Sequence, residues 1–194
     1  KATLRANGKV VTSCTVCKVV TSTKTISRIK TVKLSATSYT YNGKSKKPSV
    51  TVKDYKGKTL KKGTDYTVSY KNNKKVGKAT VTITFKGKYS GSKKLTFTIK
   101  PKTTTLSKLT AGKKQLKVTW KKNSSVSGYQ IKYSTSKKFS SSKTVTVKGY
   151  KTTSKTLKSL KAKKTYYVRV RTYKTVNGKK VYSDWSKTLY KKTK

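Results

Sequence analysis

The chain has 194 residues, of which 52 are Lys or Arg and three are acidic, and its formal net charge is +49. It has no His and no cluster of carboxylates, so the composition excludes most general acid–base and metal-dependent catalysis. We therefore expect a protein that is not an enzyme, needs no cofactor, attracts polyanions at long range and repels copies of itself.

The apolar content favours a folded chain over a charged, disordered tail. Apolar residues make up 31% of the sequence and are interleaved with the lysines in an ordered pattern. No apolar stretch approaches the ~18 residues of a membrane span and no signal-peptide core is present, so we expect no membrane insertion. The chain starts at Lys1 and contains no Met. We interpret it as a monomeric part of a longer multidomain chain.

Residues 1–31 are predicted to form a short β-hairpin segment, the remainder of a preceding module. They hold the only two cysteines, Cys14 and Cys17, whose C-x2-C spacing lets both sulfur atoms face one metal ion across a tight turn. A zinc site needs four ligands, and this chain has no His and no further Cys. The pair is thus a metal candidate only with ligands from elsewhere, and we expect no metal in this chain. A local disulfide or two free thiols is the alternative.

Between residues 32 and 100, apolar and polar residues alternate with a period of two, which is typical of half-buried β-strands. Turn-forming pairs such as Asn42-Gly43 separate the alternating runs. No window shows a helical period of 3.6 residues, so we predict an all-β chain. The clearest runs lie at residues 66–70, 81–85 and 95–99.

The alternation pauses near Pro101, which suits an extended linker because proline lacks an amide donor. We therefore predict two tandem β-sandwich domains, at residues 32–100 and 101–194. The net charges of residues 1–31, 32–100 and 101–194 are +7, +16 and +26. The charge is thus a property of the whole surface and not of a tail. The second domain has its own alternating runs, at residues 116–120, 129–133, 145–147 and 166–170.

The second domain resembles fibronectin type III domains from about Thr103 to Lys194. The resemblance implies a core that depends on Trp120, Tyr166 and Val168. Leu160 and Tyr166 match the family's tyrosine corner, in which the Tyr hydroxyl binds the backbone. The family usually has Pro-Gly between these two residues, where this chain has Ala162-Lys163. The other matching stretches are LKVTW ending at Trp120, GYQIKY at 128–133 and YSDWS at 182–186.

Residues 32–100 are similar to bacterial Ig-like repeats found in large surface proteins of Gram-positive gut bacteria. Such repeats act as stalk, spacer or adhesive modules, so the resemblance implies a place at the cell surface or outside the cell. A sandwich fold alone does not assign an activity. The matching stretches are YTYNGKSKKPSVTVKD at 39–54, GTDYTVSY at 63–70, VGKATVTITFKG at 76–87 and GKYSG at 87–91.

One strand of the second domain carries a candidate ligand site. Tyr167, Arg169, Arg171 and Tyr173 alternate with apolar residues and are predicted to project from the outer face. In the fibronectin-like fold, Gln130 and Lys132 would lie beside them. Aromatic rings among arginines can stack sugars or bases and pair with phosphate or carboxylate. The alternative is a solvated sheet face with ordinary Tyr–Arg packing between strands.

The three acidic residues are Asp54, Asp65 and Asp184, and each lies beside turn-forming sequence. An Asp at a turn usually accepts hydrogen bonds from nearby backbone amides. Asp65 is also a candidate promoter of a Lys–Asn isopeptide cross-link, which some bacterial surface Ig-like domains contain and which requires a buried site.

These observations leave three functions open. The first is a structural and adhesive module of a surface or secreted protein, which binds anionic polymers such as teichoic acid, acidic glycans or DNA. The second is a dedicated, sequence-independent nucleic-acid binder, since lysines without arginines favour contacts that do not read base edges. The third is a pure spacer without a ligand, in which the lysines serve solubility.

Overall fold

The computed structural model describes all 194 residues and contains β-strands but no helix. It divides into two compact units, Lys1–Tyr39 with Lys44–Thr98 and Thr40–Gly43 with Ile99–Lys194. The all-β prediction is therefore confirmed, and no segment forms a helix that could span a lipid bilayer.

The first unit contains three sheets. Strands β1 and β2 form a two-stranded sheet of their own, β3 pairs with β5, and the largest sheet has the order β4-β8-β7-β6. The last two residues of β8, Ile99 and Lys100, belong to the second unit. The strands are β1 (Gly8–Ser13), β2 (Val20–Ile26), β3 (Ile29–Leu34), β4 (Ser38–Thr40), β5 (Val50–Asp54), β6 (Tyr66–Lys71), β7 (Gly77–Phe85) and β8 (Ser92–Lys100).

Period-two alternation produces the core of this unit. Val81 and Ile83 on β7 are fully buried, whereas Thr82 between them is half-buried and Thr84 is exposed. Phe97 on β8 is 2% exposed and meets the ring of Tyr39 edge-on, with the ring centroids 5.5 Å apart. The alternating runs of the sequence therefore correspond to strands with one buried face.

The N-terminal residues belong to this first unit. Ala2 is fully buried and forms a parallel bridge with Tyr89, and its amide donates to the carbonyl of Lys88 at 2.9 Å. Strand β3 pairs antiparallel with β5 from Ile29 to Leu34, with a shift of register between Ile29 and Thr31. The domain boundary predicted at residue 31 therefore falls inside a compact unit.

The second unit has two sheets, of order β13-β10-β9 and β12-β11-β14-β15, with β16 also pairing with β14. Its core contains apolar residues from both sheets. The strands are β9 (Leu106–Gly112), β10 (Gln115–Trp120), β11 (Gly128–Ser134), β12 (Lys143–Lys148), β13 (Ser154–Leu157), β14 (Thr165–Val176), β15 (Lys179–Tyr182) and β16 (Leu189–Lys192).

The predicted core residues of the second unit are buried. Trp120 is 2% exposed and its ring lies 5.2 Å from that of Tyr129. Tyr166 is also buried, and its hydroxyl accepts a hydrogen bond from the amide of Lys161 at 3.0 Å. This is the tyrosine corner that the resemblance implied. Lys163, where the family has glycine, adopts a left-handed conformation with φ of 49°.

Replacing Trp120 by Ala should strongly destabilise the second unit. Truncation of a buried aromatic costs about 3–5 kcal/mol in the free energy of unfolding, because burial is lost and a cavity remains. Chemical denaturation followed by tyrosine fluorescence measures this change. The matched control is Tyr190→Ala, since Tyr190 is 69% exposed, and it should cost below about 1 kcal/mol. An unchanged midpoint for Trp120→Ala would contradict the core described above.

The buried carboxylate of Asp54 should stabilise the first unit. Its Oδ1 accepts backbone hydrogen bonds from Lys56 at 3.0 Å and Lys58 at 2.9 Å, whereas Oδ2 of Asp65 accepts one, from Lys61. Asp54→Ala leaves two amides without their acceptor, and we expect a loss of about 1–3 kcal/mol in the free energy of unfolding. Asp65→Ala removes the same charge and is the control. A larger loss for Asp65→Ala in urea denaturation would contradict this ranking.

Candidate binding surfaces

The predicted site strand is β14, and its cross-strand neighbours are those expected from the resemblance. Arg169 lies opposite Lys132, and Arg171 lies opposite Gln130 on β11. The Nε of Arg171 donates to Oε1 of Gln130 at 2.8 Å. The sheet register therefore brings the two arginines, Lys132 and Gln130 together on one outer face.

Two serines hold residues 182–186 along the same strand. The hydroxyl of Ser183 accepts the amide of Thr172 at 2.9 Å, and the amide of Ser183 donates to the carbonyl of Thr172. Ser186 makes the same pair of bonds with Val170, at 3.0 and 2.8 Å. These bonds continue the edge pairing of β14 between β15 and β16. They also fix the position of Trp185, which lies between the two serines in sequence.

Both arginines are stacked against aromatic rings of the same chain. The guanidinium carbon of Arg169 lies 4.1 Å from the ring centroid of Phe139 and 4.9 Å from that of Trp185. The guanidinium carbon of Arg171 lies 4.4 Å from Trp185 and 3.8 Å from Tyr182. We call Phe139, Arg169, Trp185, Arg171 and Tyr182 the cation–aromatic stack.

The stack occupies the planar faces of the two arginines that were predicted to bind a ligand. The faces of both guanidinium groups contact rings, and Nε of Arg171 is bonded to Gln130. Nε of Arg169 is buried without a hydrogen-bond partner. Burial lowers the pKa of Arg171, although the guanidinium remains charged at neutral pH. The arrangement favours a structural role, which was the alternative in the sequence analysis.

The two tyrosines of the predicted site differ from each other. Tyr167 is half-buried and packs against Tyr190, with the ring centroids 5.7 Å apart. Tyr173 is only 3% exposed, so it does not project into solvent as predicted, although the alternation places it on the outer face. It lies opposite Gly128 on β11, whose lack of a side chain leaves room for the tyrosine ring. The ring centroids of Tyr173 and Tyr182 are 6.1 Å apart. Burial raises the pKa of the Tyr173 hydroxyl.

The cysteines lie at the turn of the hairpin formed by β1 and β2, and both are free thiols. The amide of Cys17 donates to Sγ of Cys14 at 3.4 Å. The pKa of Cys14 is lowered, first by a hydrogen bond with the side chain of Cys17 and then by the amides of Cys17 and Val16. No group of three His, Cys, Asp or Glu side chains is arranged to hold a metal ion.

The acidic residues serve local structure. Asp54 and Asp65 accept backbone amides at turns, as predicted. Asp184 pairs with Nζ of Lys100 at 2.7 Å. The isopeptide hypothesis for Asp65 required a buried site, and Asp65 is half-exposed.

The outer face of the three-stranded sheet in the second unit is open and rich in Lys, Ser and Thr. Lys117 on β10 lies between Thr110 on β9 and Thr156 on β13. In the next outward row, Thr119 on β10 lies between a lysine and a serine. We call the surface around Lys108, Thr110, Lys117, Thr119, Ser154 and Thr156 the Lys–Thr face. It contains no carboxylate that would neutralise its ammonium groups.

Sequence reasoning missed the partners of the arginines. Trp185 and Tyr182 belong to the YSDWS stretch, which was interpreted only as the entry to the last strand, so their approach to β14 was not predicted. A second pairing of this kind lies in the first unit. The guanidinium carbon of Arg28 lies 4.1 Å from the ring centroid of Tyr55, and Nζ of Lys30 lies 5.5 Å from it.

Comparison with known proteins finds a family to which most of the second unit is similar. Residues 99–189 match the fibronectin type III domain family. Among solved structures, a segment of two fibronectin type III domains from chicken tenascin is similar, with a TM-score of 0.47 and 16% identity over 85% of this chain and 99% of that one. A search of curated proteins finds no match. Residues 99–189 are thus similar to fibronectin type III domains, whereas the Ig-like and bacterial origin of residues 32–100 stays a prediction.

The cation–aromatic stack should stabilise the second unit. Each contact between a cation and a ring contributes about 0.5–2 kcal/mol, depending on how far it is desolvated. Replacing Arg169 and Arg171 together by Lys keeps the charge but removes the planar groups. We expect the free energy of unfolding of the second unit to fall by about 1–3 kcal/mol in urea denaturation.

A double-mutant cycle with Trp185→Ala distinguishes the stack from unrelated effects. Once Trp185 is removed, the two arginine substitutions should cost clearly less than in the wild-type chain, because they lose a shared partner. The control is Lys117→Arg, which should change stability by less than about 0.5 kcal/mol. Additive effects of the arginine and tryptophan substitutions would contradict a coupled stack.

Proposed function

We propose that this chain is a non-catalytic structural and adhesive module of a bacterial surface or secreted protein, and that it binds anionic polymers through its lysine-rich surface. A fibronectin type III domain is a structural or binding module, which fits this class of function. The observation that carries the proposal is the excess of accessible positive charge. No lysine is buried, and the chain has 52 basic residues but only three carboxylates.

The carboxylates cannot neutralise this surface. Asp54 and Asp65 are occupied by turn amides, and Asp184 by Lys100. Even if each acid offset one basic residue, the net charge of +49 would remain. A surface potential of this size concentrates polyanions and accelerates their association. Binding then releases the counterions that the polymer had condensed.

The chemistry of the Lys–Thr face supports the proposal. Lys117 is exposed, and Thr110 and Thr156 on the neighbouring strands offer hydroxyl donors on either side of it. Ammonium and hydroxyl groups both donate to phosphate, sulfate or carboxylate oxygens. Neither group has the fixed fork of a guanidinium, so contacts of this kind discriminate by charge density and not by base sequence. Teichoic acid, acidic glycans and DNA share the required chemistry.

The proposal predicts steep salt dependence. If about six phosphates are neutralised, the affinity for duplex DNA should fall roughly a thousandfold between about 50 and 200 mM salt. Fluorescence anisotropy with labelled DNA and labelled heparin measures both affinities. Heparin, with the higher charge density, should bind at least as tightly as DNA.

Two pairs of substitutions test whether the binding is diffuse. Lys108→Gln with Lys117→Gln alters the Lys–Thr face, and Lys33→Gln with Lys53→Gln alters exposed strands of the first unit. Both pairs should weaken binding similarly and reduce its salt slope. Replacing Arg169 and Arg171 by Lys should leave the affinity nearly unchanged, because their planar groups are already stacked.

Three outcomes would contradict the proposal. Absence of binding to either polymer at about 50 mM salt would favour a spacer. A strong preference for DNA over heparin would favour a dedicated nucleic-acid binder. A tenfold or larger loss with the arginine substitutions would restore Tyr167, Arg169, Arg171, Tyr173 and Lys132 as a specific ligand site.

A further inference from the structure

The second unit has a polar cleft that lies apart from the residues of the Lys–Thr face. One wall is formed by residues 102–105, which precede β9, and the other by residues 121–124, which follow β10. The volume of the cleft is about 350 Å³, within the range of about 300–1,000 Å³ that is usual for small-molecule sites. We call it the basic cleft, and its lining residues are Lys102, Thr103, Thr104, Thr105, Lys121, Lys122, Asn123 and Ser124.

Hydrogen bonds join the two walls of the basic cleft. The amide of Lys121 donates to the carbonyl of Thr105 at 2.9 Å, and the hydroxyl of the buried Thr104 donates to the carbonyl of Lys121. Nδ2 of Asn123 donates to the carbonyl of Lys102 at 2.9 Å. These bonds fix the distance between the walls, so the cleft is part of the fold and does not need a ligand to form.

Both walls are also anchored to fully buried side chains. The amide of Asn123 donates to the hydroxyl of Tyr129 at 2.9 Å, and that hydroxyl donates to the carbonyl of Tyr150 at 2.9 Å. On the other wall, the hydroxyl of Thr172 donates to the carbonyl of Lys102 at 2.9 Å. The backbone of the cleft is therefore already ordered, which lowers the entropic cost of binding a small ligand there.

The lining residues determine the chemical class of ligand that the cleft can hold. Lys102, Lys121 and Lys122 are exposed, and no carboxylate lines the cleft to neutralise them. Ammonium groups form their strongest hydrogen bonds with anionic oxygens such as those of sulfate or phosphate. The exposed hydroxyls of Thr105 and Ser124 can both donate and accept, as the hydroxyls of a sugar do. No aromatic ring lines the cleft, so a nucleic-acid base finds no surface on which to stack.

We propose that the basic cleft binds one sugar residue that carries a sulfate or phosphate ester. At about 30 Å³ for each water molecule, the cleft has the volume of about a dozen waters, which is more than a bare oxyanion needs and leaves room for an attached ring. The inference rests on the proposed function and deepens it, because it gives an acidic glycan one fixed site in addition to the diffuse attraction of the lysines.

The test uses monosaccharides, which carry a single charged group and cannot bind many lysines at once. The full chain, labelled with nitrogen-15, is titrated with N-acetylglucosamine 6-sulfate and with the 6-phosphate in about 150 mM NaCl, which screens diffuse attraction beyond about 8 Å. Either ester should shift the amide signals of the lining residues and saturate them. Binding of only one ester would support the site and identify the group that it accepts. Inorganic sulfate should bind the same residues more weakly, and uncharged N-acetylglucosamine should give no saturable shift.

Two charge-matched pairs of substitutions separate the cleft from the general positive field. Lys121→Gln with Lys122→Gln should weaken ester binding by at least about tenfold, because it removes charge-assisted hydrogen bonds. Lys108→Gln with Lys117→Gln removes the same charge from the Lys–Thr face and should change ester binding by less than about twofold at this ionic strength.

Four outcomes would overturn the cleft as a site. They are absence of saturable binding by both esters, shifts scattered over lysines of both units, equal losses in the two pairs, and binding of inorganic sulfate as tight as that of the esters. The proposed function fails separately, through absence of binding to heparin and DNA. A chain that binds heparin but neither ester would therefore retain the proposed function and lose only the cleft.

Discussion

Folding under a large positive charge is the constraint on which the rest of this structure depends. With a net charge of +49 on 194 residues, self-repulsion opposes any compact state. The chain must bury apolar side chains and also keep its charges solvated. Period-two alternation allows both, since each strand places apolar side chains in a core and its polar and charged ones in solvent. Val118 and Lys117 are neighbours in sequence, yet the first is fully buried and the second is exposed. The lysine stems extend the charges outward, where water and salt screen them.

The few arginines have a different role from the many lysines. The sequence has only four, and Arg28, Arg169 and Arg171 each lie against aromatic rings. A guanidinium is planar and weakly hydrated, so it can be partly buried between rings at small cost, whereas an ammonium group holds its water. Arginine therefore occurs at positions where a cation packs against rings, and lysine at positions where the charged group remains in water. This division explains why the residues best suited to specific recognition are already engaged within the fold.

The sequence predicted the strands and both cores, because these depend on local periodicity and on a few spaced residues such as Trp120 and Tyr166. It did not predict the cation–aromatic stack, which needs contacts between segments distant in sequence. Phe139 reaches Arg169 from a loop in which it has a left-handed φ of 61°, and no pattern signals that conformation for a bulky residue. Tyr173 follows the alternation onto the outer face, but Gly128 and Tyr182 bury it there. Alternation tells which face a side chain occupies and not what covers that face.

The two outer faces of the second unit consequently differ in what they can do. One is covered by the cation–aromatic stack and by residues 182–186, whose serine hydroxyls replace backbone pairing along β14. Its side chains are held by several contacts each and cannot rearrange around a ligand without losing them. The Lys–Thr face has no such cover, and its ammonium groups move on flexible stems. Contacts to the repeated charges of a polyanion need no precise geometry, so the adaptable face fits the proposed binding better than the rigid one. If the proposed function is right, charge density and not the geometry of the arginines determines which polymer binds.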